Sequence, residues 1–416
     1  MMRHITHALM VLPFLLVPMA GTGPAHAARP GAQTISLTEE DYWPAGTFTN
    51  EINGLISLYE ASHSNVTITR TYVPVGSFTS KVLQQAAAHK LPDILILDNP
   101  TVQAIASTGA LTDITPYTKG WSQLSGYYKS SLSTAMWKGD LYGFPVGNND
   151  LALYYNEKML KAAGISSPPA TWADFRVAAK KLTTSKVYGF AFSAAKSEEG
   201  TWTFEPFFWA NGADLRHADS TAGVEALDFL SQIVQDGSAS KEVLNWGQGD
   251  VVNQFFAGNA AMMVMGTWEL GDAAAAAKKG MPVGIAYLPR KSASMAPVSP
   301  LGGEVWTMPK SNAARESAAW NFVQWTQTPT NIAQFDGTLG YLSAYQSINK
   351  TLIQQNPALK IFAGELATSR ARATVLGPLY PQVSEAIWTA IQSAISGQQT
   401  PQQALQTAQS TISTLQ

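Results

Sequence analysis

The residues that most limit what this chain can fold into are 139–172, GDLYGFPVGNNDLALYYNEKMLKAAGISSPPATW. Gly139-Asp140 carries a two-residue hairpin signal, and Leu141 to Val146 then runs apolar and aromatic into Gly147. A polar knot follows, Asn148-Asn149-Asp150, and directly after it Leu151 to Tyr155 favours strand. One strand enters a polar break and another leaves it. Three such side chains would usually mark a surface loop, but these flanks are too apolar for that. If the two strands belong to different sheets, the break is a crossing between lobes. Its amide and carboxylate groups then lie where a cleft would be. Farther on, Lys158 to Ala163 makes an amphipathic turn stopped by Gly164, and Thr171 with Asp174 forms a capping box for the next helix.

A chain of 416 residues is too long for one ordinary core, which predicts two domains. Its formal charge of -2 is spread without a basic face, so nucleic acid is not an expected partner. Residues 1–27 read as a secretory signal peptide: a weakly basic start, an apolar stretch from Ala8 to Ala20, and the small-x-small site Ala25-His26-Ala27. The absence of cysteine removes disulfides, thiolate metal sites and cysteine nucleophiles together.

The first third alternates strand and helix. Gln33 to Leu37 reads as a strand, and Ile52, Leu55, Ile56 and Tyr59 form one helix face. Val66, Ile68 and Tyr72 alternate as a half-exposed strand. Ser77 is placed to cap the next helix, and Asp93 to Leu97 is a buried strand. That order predicts an α/β class, with ligands gathering beyond the carboxyl ends of strands. Asp98 stands at such an end, as a helix N-cap, a hydroxyl acceptor or both. Trp43, after the first strand, fits packing and a site equally well. Tyr188 to Phe192 reads as a strand. The following run to Trp209 holds more aromatics than one core face can use, so Trp202 or Trp209 is expected to stack on a ligand while the other packs. A pyranose suits such a ring, because it is apolar on its faces and polar at its edge. Gly302-Gly303 fits a bend, or a close approach of backbone to ligand.

LYGFPVGNNDLALYYNEKMLKAAGI with PPATWADFRVAAKKLT, and FFAGNAAMMVMGTWEL farther on, resemble the extracellular solute-binding proteins of ABC importers, in particular the maltose and multiple-sugar group. The resemblance extends to the Gly, Thr-Pro, Ala-Leu ending and so covers nearly the whole chain after the leader. It implies a two-lobed periplasmic-binding-protein fold, each lobe a mostly parallel sheet flanked by helices, joined by a three-crossing hinge. The implied lobes are 28–147 with 303–341, and 148–302 with 342–416. It implies that Trp268 packs against bound sugar, that the loop carrying Trp43 reaches the cleft, that Gly302-Gly303 faces it, and that FDGTLGYLS with Tyr341 is the third crossing. Stacking is then assigned to Trp268, Trp202 and Trp43. Hydrogen bonding is assigned to Asp98, Asn149, Asp150 and Glu205. The function implied is capture of a sugar or oligosaccharide for a membrane permease, by a monomer that is periplasmic or secreted, since no cysteine is present to carry a lipid anchor.

No hydrolase, P-loop or zinc motif occurs, and His63, His89 and His217 are scattered. Tyr154 and Tyr155 face opposite sides of a strand and cannot share one ion. No enzyme activity, metal or cofactor is therefore expected. The alternatives are the same fold binding a non-sugar solute, and a secreted carbohydrate-active enzyme. Few arginines lie near the expected cleft, which weighs against a phosphorylated ligand.

Overall fold

The computed structural model describes residues 34–374 and 376–416, so the expected leader at 1–27 lies outside the described residues. Among the described residues twelve strands occur in chain order: β1 Ile35–Asp41, β2 Val66–Tyr72, β3 Ile94–Asp98, β4 Met136–Trp137, β5 Asp140–Leu141, β6 Gly143–Pro145, β7 Leu151–Asn156, β8 Met262–Gly266, β9 Val283–Ala286, β10 Pro300–Leu301, β11 Glu304–Thr307 and β12 Arg370–Ala371. They build two principal sheets, one of five strands ordered β2-β1-β3-β11-β6 and one of three ordered β8-β7-β9. Helices flank both.

Each sheet has one reversed strand, and in each it is the strand that has just arrived from the other sheet. β1 runs parallel to β2 and β3, whereas β11 is antiparallel to β3 and β6. β7 is antiparallel to both β8 and β9. Parallel pairing thus holds for β1 with β2 and β3 and gives way where the chain crosses between sheets; in the three-stranded sheet both pairings are antiparallel. Antiparallel pairing needs no intervening helix and suits a strand fed directly by a hinge.

The crossings lie side by side. Residues 146–150 lead from β6 to β7, residues 302–303 from β10 to β11, and Gly340 ends the Pro329–Leu339 helix in a left-handed cap before the third crossing. Backbone bonds join them: Asn148 N–H donates to Leu342 O (2.6 Å), Leu342 N–H returns to Asn148 O (3.0 Å), and Gly302 N–H donates to Asn149 O (2.8 Å). The polar knot read from the sequence is the middle rib of this ribbon.

Several local expectations shift. β1 runs on through Glu39, Glu40 and Asp41, where Arg70 binds Asp41 at 2.6 Å and Lys81 binds Glu40 at 2.8 Å, while Glu39 lies 3.9 Å from Arg70 without a hydrogen bond. The β4–β5 hairpin turns at Lys138-Gly139, one residue before the expected pair, with φ of 52° and 96°. The second helix starts at Val75, so Ser77 lies inside it. Tyr188 to Phe192 makes only bridges, Tyr188 to Ala260 and Ala191 to Met263. The aromatic run is part of a helix, Glu198–Ala210, buried on every side from Gly200 to Trp209. Such a helix uses rings on all its faces, so aromatic density there does not by itself mark a ligand site.

Candidate functional site

Asp98 and Glu304 form the centre of the five-stranded sheet's cleft edge. Asp98 ends β3, Glu304 opens β11, and the two are directly opposed in the antiparallel register. Like charges so placed repel. The fold relieves this in two ways. Glu304 Oε1 accepts from Tyr42 Oη at 2.7 Å and Tyr341 Oη at 3.2 Å, while burial first, and then Asp98, pushes its carboxyl up to about 7. Asp98 keeps its charge company with Arg372, whose Nη1 and Nη2 donate to its two oxygens at 2.8 and 2.5 Å.

Arg372 joins the sheets. Its Nη1 also donates to Glu198 Oε1 at 2.7 Å, and its Nη2 to Asn99 Oδ1 at 3.5 Å. Its guanidinium carbon lies 4.4 Å from the centre of the Trp202 ring, the geometry of a cation–π contact. Burial opposes the charge, but Asp98 and Glu198 outweigh it and hold the guanidinium firmly protonated. Glu198 is itself fixed by Tyr380 Oη at 2.8 Å and by the Ser384 hydroxyl. About two turns along the same helix, Glu205 accepts from Tyr380 Oη at 3.0 Å. Its Oε2 has no partner, and burial first, with Glu198 next, drives the carboxyl well above the usual range.

The crossings close in on this cluster through glycine. A Cβ on Gly302 would lie 2.0 Å from Asn149 Oδ1 and 2.4 Å from the Trp202 ring, so hydrogen is the only tolerated side chain there. Gly303 has φ +122°, and a Cβ on it would meet the Gly147 carbonyl oxygen at 2.1 Å. Trp268 stands in a short turn after β8, half-buried, with its ring across Gly266. Gly340 passes beside it, with room for a Cβ only 2.7 Å from the Thr267 carbonyl. Trp268 therefore adjoins the crossing whose next residue, Tyr341, reaches Glu304.

The expected residues divide accordingly. Asp98, Asn149, Trp202, Glu205, Gly302, Gly303 and Tyr341 converge. Trp268 borders them by way of Gly340. Trp43 is only 2% exposed and packs between Phe48 and Phe335, at ring separations of 5.5 and 5.6 Å, so its ring belongs to the core. Its indole N–H, which has no hydrogen-bond partner, lies among the groups around Glu304. Trp209 lies in the core beneath the three-stranded sheet. Asp150 is set apart from the cluster: it is fully buried, neither oxygen has a partner, and its electrostatic neighbour is Glu365. Asp98 is the N-cap residue of the Asn99–Ser107 helix but makes no side-chain cap bond, because Arg372 takes both its oxygens.

Arg372, Glu198, Tyr380 and Ser384 were not legible as site residues. Arg370 and Arg372 are the last basic residues in the chain, a weak signal that becomes meaningful only once β12 pairs with β10 and carries Arg372 to the cleft. Among the described residues there is no group of His, Cys, Asp and Glu fit to hold a metal ion, and no helix long and apolar enough to cross a membrane.

Comparison with known proteins accords with this geometry. A binding protein of Brucella abortus is 24% identical over 250 residues, a match covering 58% of this chain and 59% of that protein. The chain thus spans rather less than two thirds of that relative's length. The sn-glycerol-3-phosphate-binding periplasmic protein UgpB of Pectobacterium atrosepticum is 24% identical over 91% of this chain and 90% of its own. Among solved structures, an ABC transporter solute-binding protein of Thermotoga lettingae bound with alpha-D-tagatose superposes with a TM-score of 0.83 at 23% identity, over 91% of this chain and 99% of that one. Residues 54–361 match the family described as bacterial extracellular solute-binding protein. The chain belongs to that family.

Proposed function

We propose that this protein is the extracytoplasmic receptor of an ABC importer, and that it closes on a sugar or oligosaccharide between its lobes and hands it to the membrane permease. The observation that carries the reading is the convergence, beside three glycine-lined crossings, of Asp98, Asn149, Glu205 and Glu304 with the rings of Trp202 and Trp268. Carboxylates and amides pair with neighbouring hydroxyls, and flat rings take the apolar faces of a pyranose. The tagatose in the solved relative is a ligand of this chemistry.

The roles divide by exposure. Trp268, half-buried, offers the open ring on which sugar stacks. Trp202 has one face under Arg372, so it backs the guanidinium that positions Asp98. Gly302 and Gly303 let backbone approach the ligand. Residues 34–147 with 303–341 form one lobe, and 148–302 with 342–416 the other. The receptor works as a monomer, free in the periplasm or secreted, without cofactor and without a chemical step.

Incubation with a panel of mono- to tetrasaccharides tests this. A rise in melting temperature with no new product is the expected result. Cleavage of a panel sugar would make the protein an enzyme, and the absence of any shift across the panel would remove the sugar reading.

A further inference from the structure

The chemistry of the Arg372 guanidinium points beyond sugar binding in general. An arginine fork matches phosphate as well as it matches carboxylate, and a free one in a ligand cleft is a phosphate site. Here the fork is spent. Asp98 takes one oxygen on each terminal nitrogen, Glu198 takes the second bond of Nη1, Asn99 lies against Nη2, and Trp202 covers a face. Only Nε is without a partner. Glu205 lies within reach of the guanidinium's charge and Glu304 stands opposite Asp98 in the sheet, so acids outnumber cations in the cluster. Glu198 is not a passive neighbour, since Tyr380 and Ser384 hold it against the guanidinium.

We propose that Glu198 is a specificity-determining residue: with Asp98 it saturates Arg372, so that the cleft refuses phosphate esters and accepts uncharged polyols and sugars. The inference deepens the sugar-receptor reading and rests on it for the ligand admitted. The refusal itself follows from charge and geometry alone. A phosphate entering would have to displace Asp98 or Glu198 from the fork and then remain buried beside the displaced carboxylate. A hydroxyl asks only for a lone pair or a proton, which the same groups supply without giving up Arg372. The chain's likeness to a relative named for sn-glycerol 3-phosphate makes the question concrete.

The test is calorimetric titration of sn-glycerol 3-phosphate into the wild-type protein, Glu198→Gln and Asp98→Asn, with glycerol as the uncharged control. Wild type is expected to give no binding at millimolar ligand. Each variant, its fold checked by circular dichroism and melting, is expected to bind the phosphate ester at least about tenfold more tightly than wild type, with no matching gain for glycerol. Binding of sn-glycerol 3-phosphate by wild type overturns the proposal whatever the variants do, and so does a folded Glu198→Gln that gains nothing. The two readings fail separately. Silence of the sugar panel alongside a phosphate gain in Glu198→Gln removes the sugar and keeps the role of Glu198, whereas sugar binding together with phosphate binding by wild type does the reverse.

Discussion

At the scale of single residues, two tryptophans of one chain, Trp209 and Trp268, have opposite duties, and exposure and neighbours separate them. Trp209 lies in the apolar core, and Trp209→Ala should cost about 3–5 kcal/mol of stability by denaturant unfolding while leaving the affinity of the folded protein unchanged. Trp268 is half-buried beside the third crossing, and as the proposed stacking ring its replacement in Trp268→Ala should weaken sugar binding by roughly 2 kcal/mol or more, with little change in melting temperature. Equal affinity for the variant and wild type would remove Trp268 from the site. A buried acid makes a third prediction. Glu365 is pushed up to about 8, chiefly by burial, so the folded protein holds a proton that the unfolded chain releases above its ordinary value of 4.5. Stability must then fall as pH rises from the lower value to the higher. Glu365→Gln should remove that loss, gaining at least about 1.4 kcal/mol on wild type between pH 5 and pH 8.5, the worth of one pKa unit. Parallel pH profiles for the two proteins would contradict it.

At the scale of elements, what the sequence displays depends on whether an element has an inside and an outside. The crossing at Asn148-Asn149-Asp150 was legible because polar side chains interrupt two apolar strands, and nothing but a change of sheet explains the interruption. The cap at Thr171 was legible for a local reason, since hydroxyl and acceptor stand three residues apart, but only half of the box forms: Asp174 N–H donates to the Thr171 hydroxyl, which donates to the Asp174 carboxylate and leaves the Thr171 N–H out of the exchange. The Glu198–Ala210 helix was not legible, because a helix buried on every face has no apolar stripe to reveal its period. Arg372 was hidden for another reason, since its partners Asp98 and Glu198 are 274 and 174 residues away. Only the fold brings such charges together. The glycines of the second crossing allow a direct check. Gly303→Ala forces a Cβ onto the Gly147 carbonyl at φ +122° and should cost on the order of 1–3 kcal/mol. Gly271→Ala, inside the Leu270–Lys278 helix with nothing within 4 Å, should be neutral or stabilise by up to about 1 kcal/mol. Equal denaturation midpoints for the two variants would mean that the crossing is not tightly packed.

For the whole molecule, three adjacent crossings restrict relative motion of the sheets to a hinge, and a ligand shifts such an equilibrium only by binding one arrangement better than the other. Arg372, reaching Asp98 on one side and Glu198 on the other, already ties the two sheets in the structure described here. The central claim is that the ligand sits between the lobes and draws them together. Because the chain contains no cysteine, cysteines introduced at exposed Ser80 and Lys241 can carry a pair of spin labels without competition. The measurement is the distribution of distances between them before and after saturation with a sugar that calorimetry shows to bind. The account predicts that the distribution narrows and its weight moves to a single closed distance. A bound sugar that leaves the distribution unchanged would contradict it.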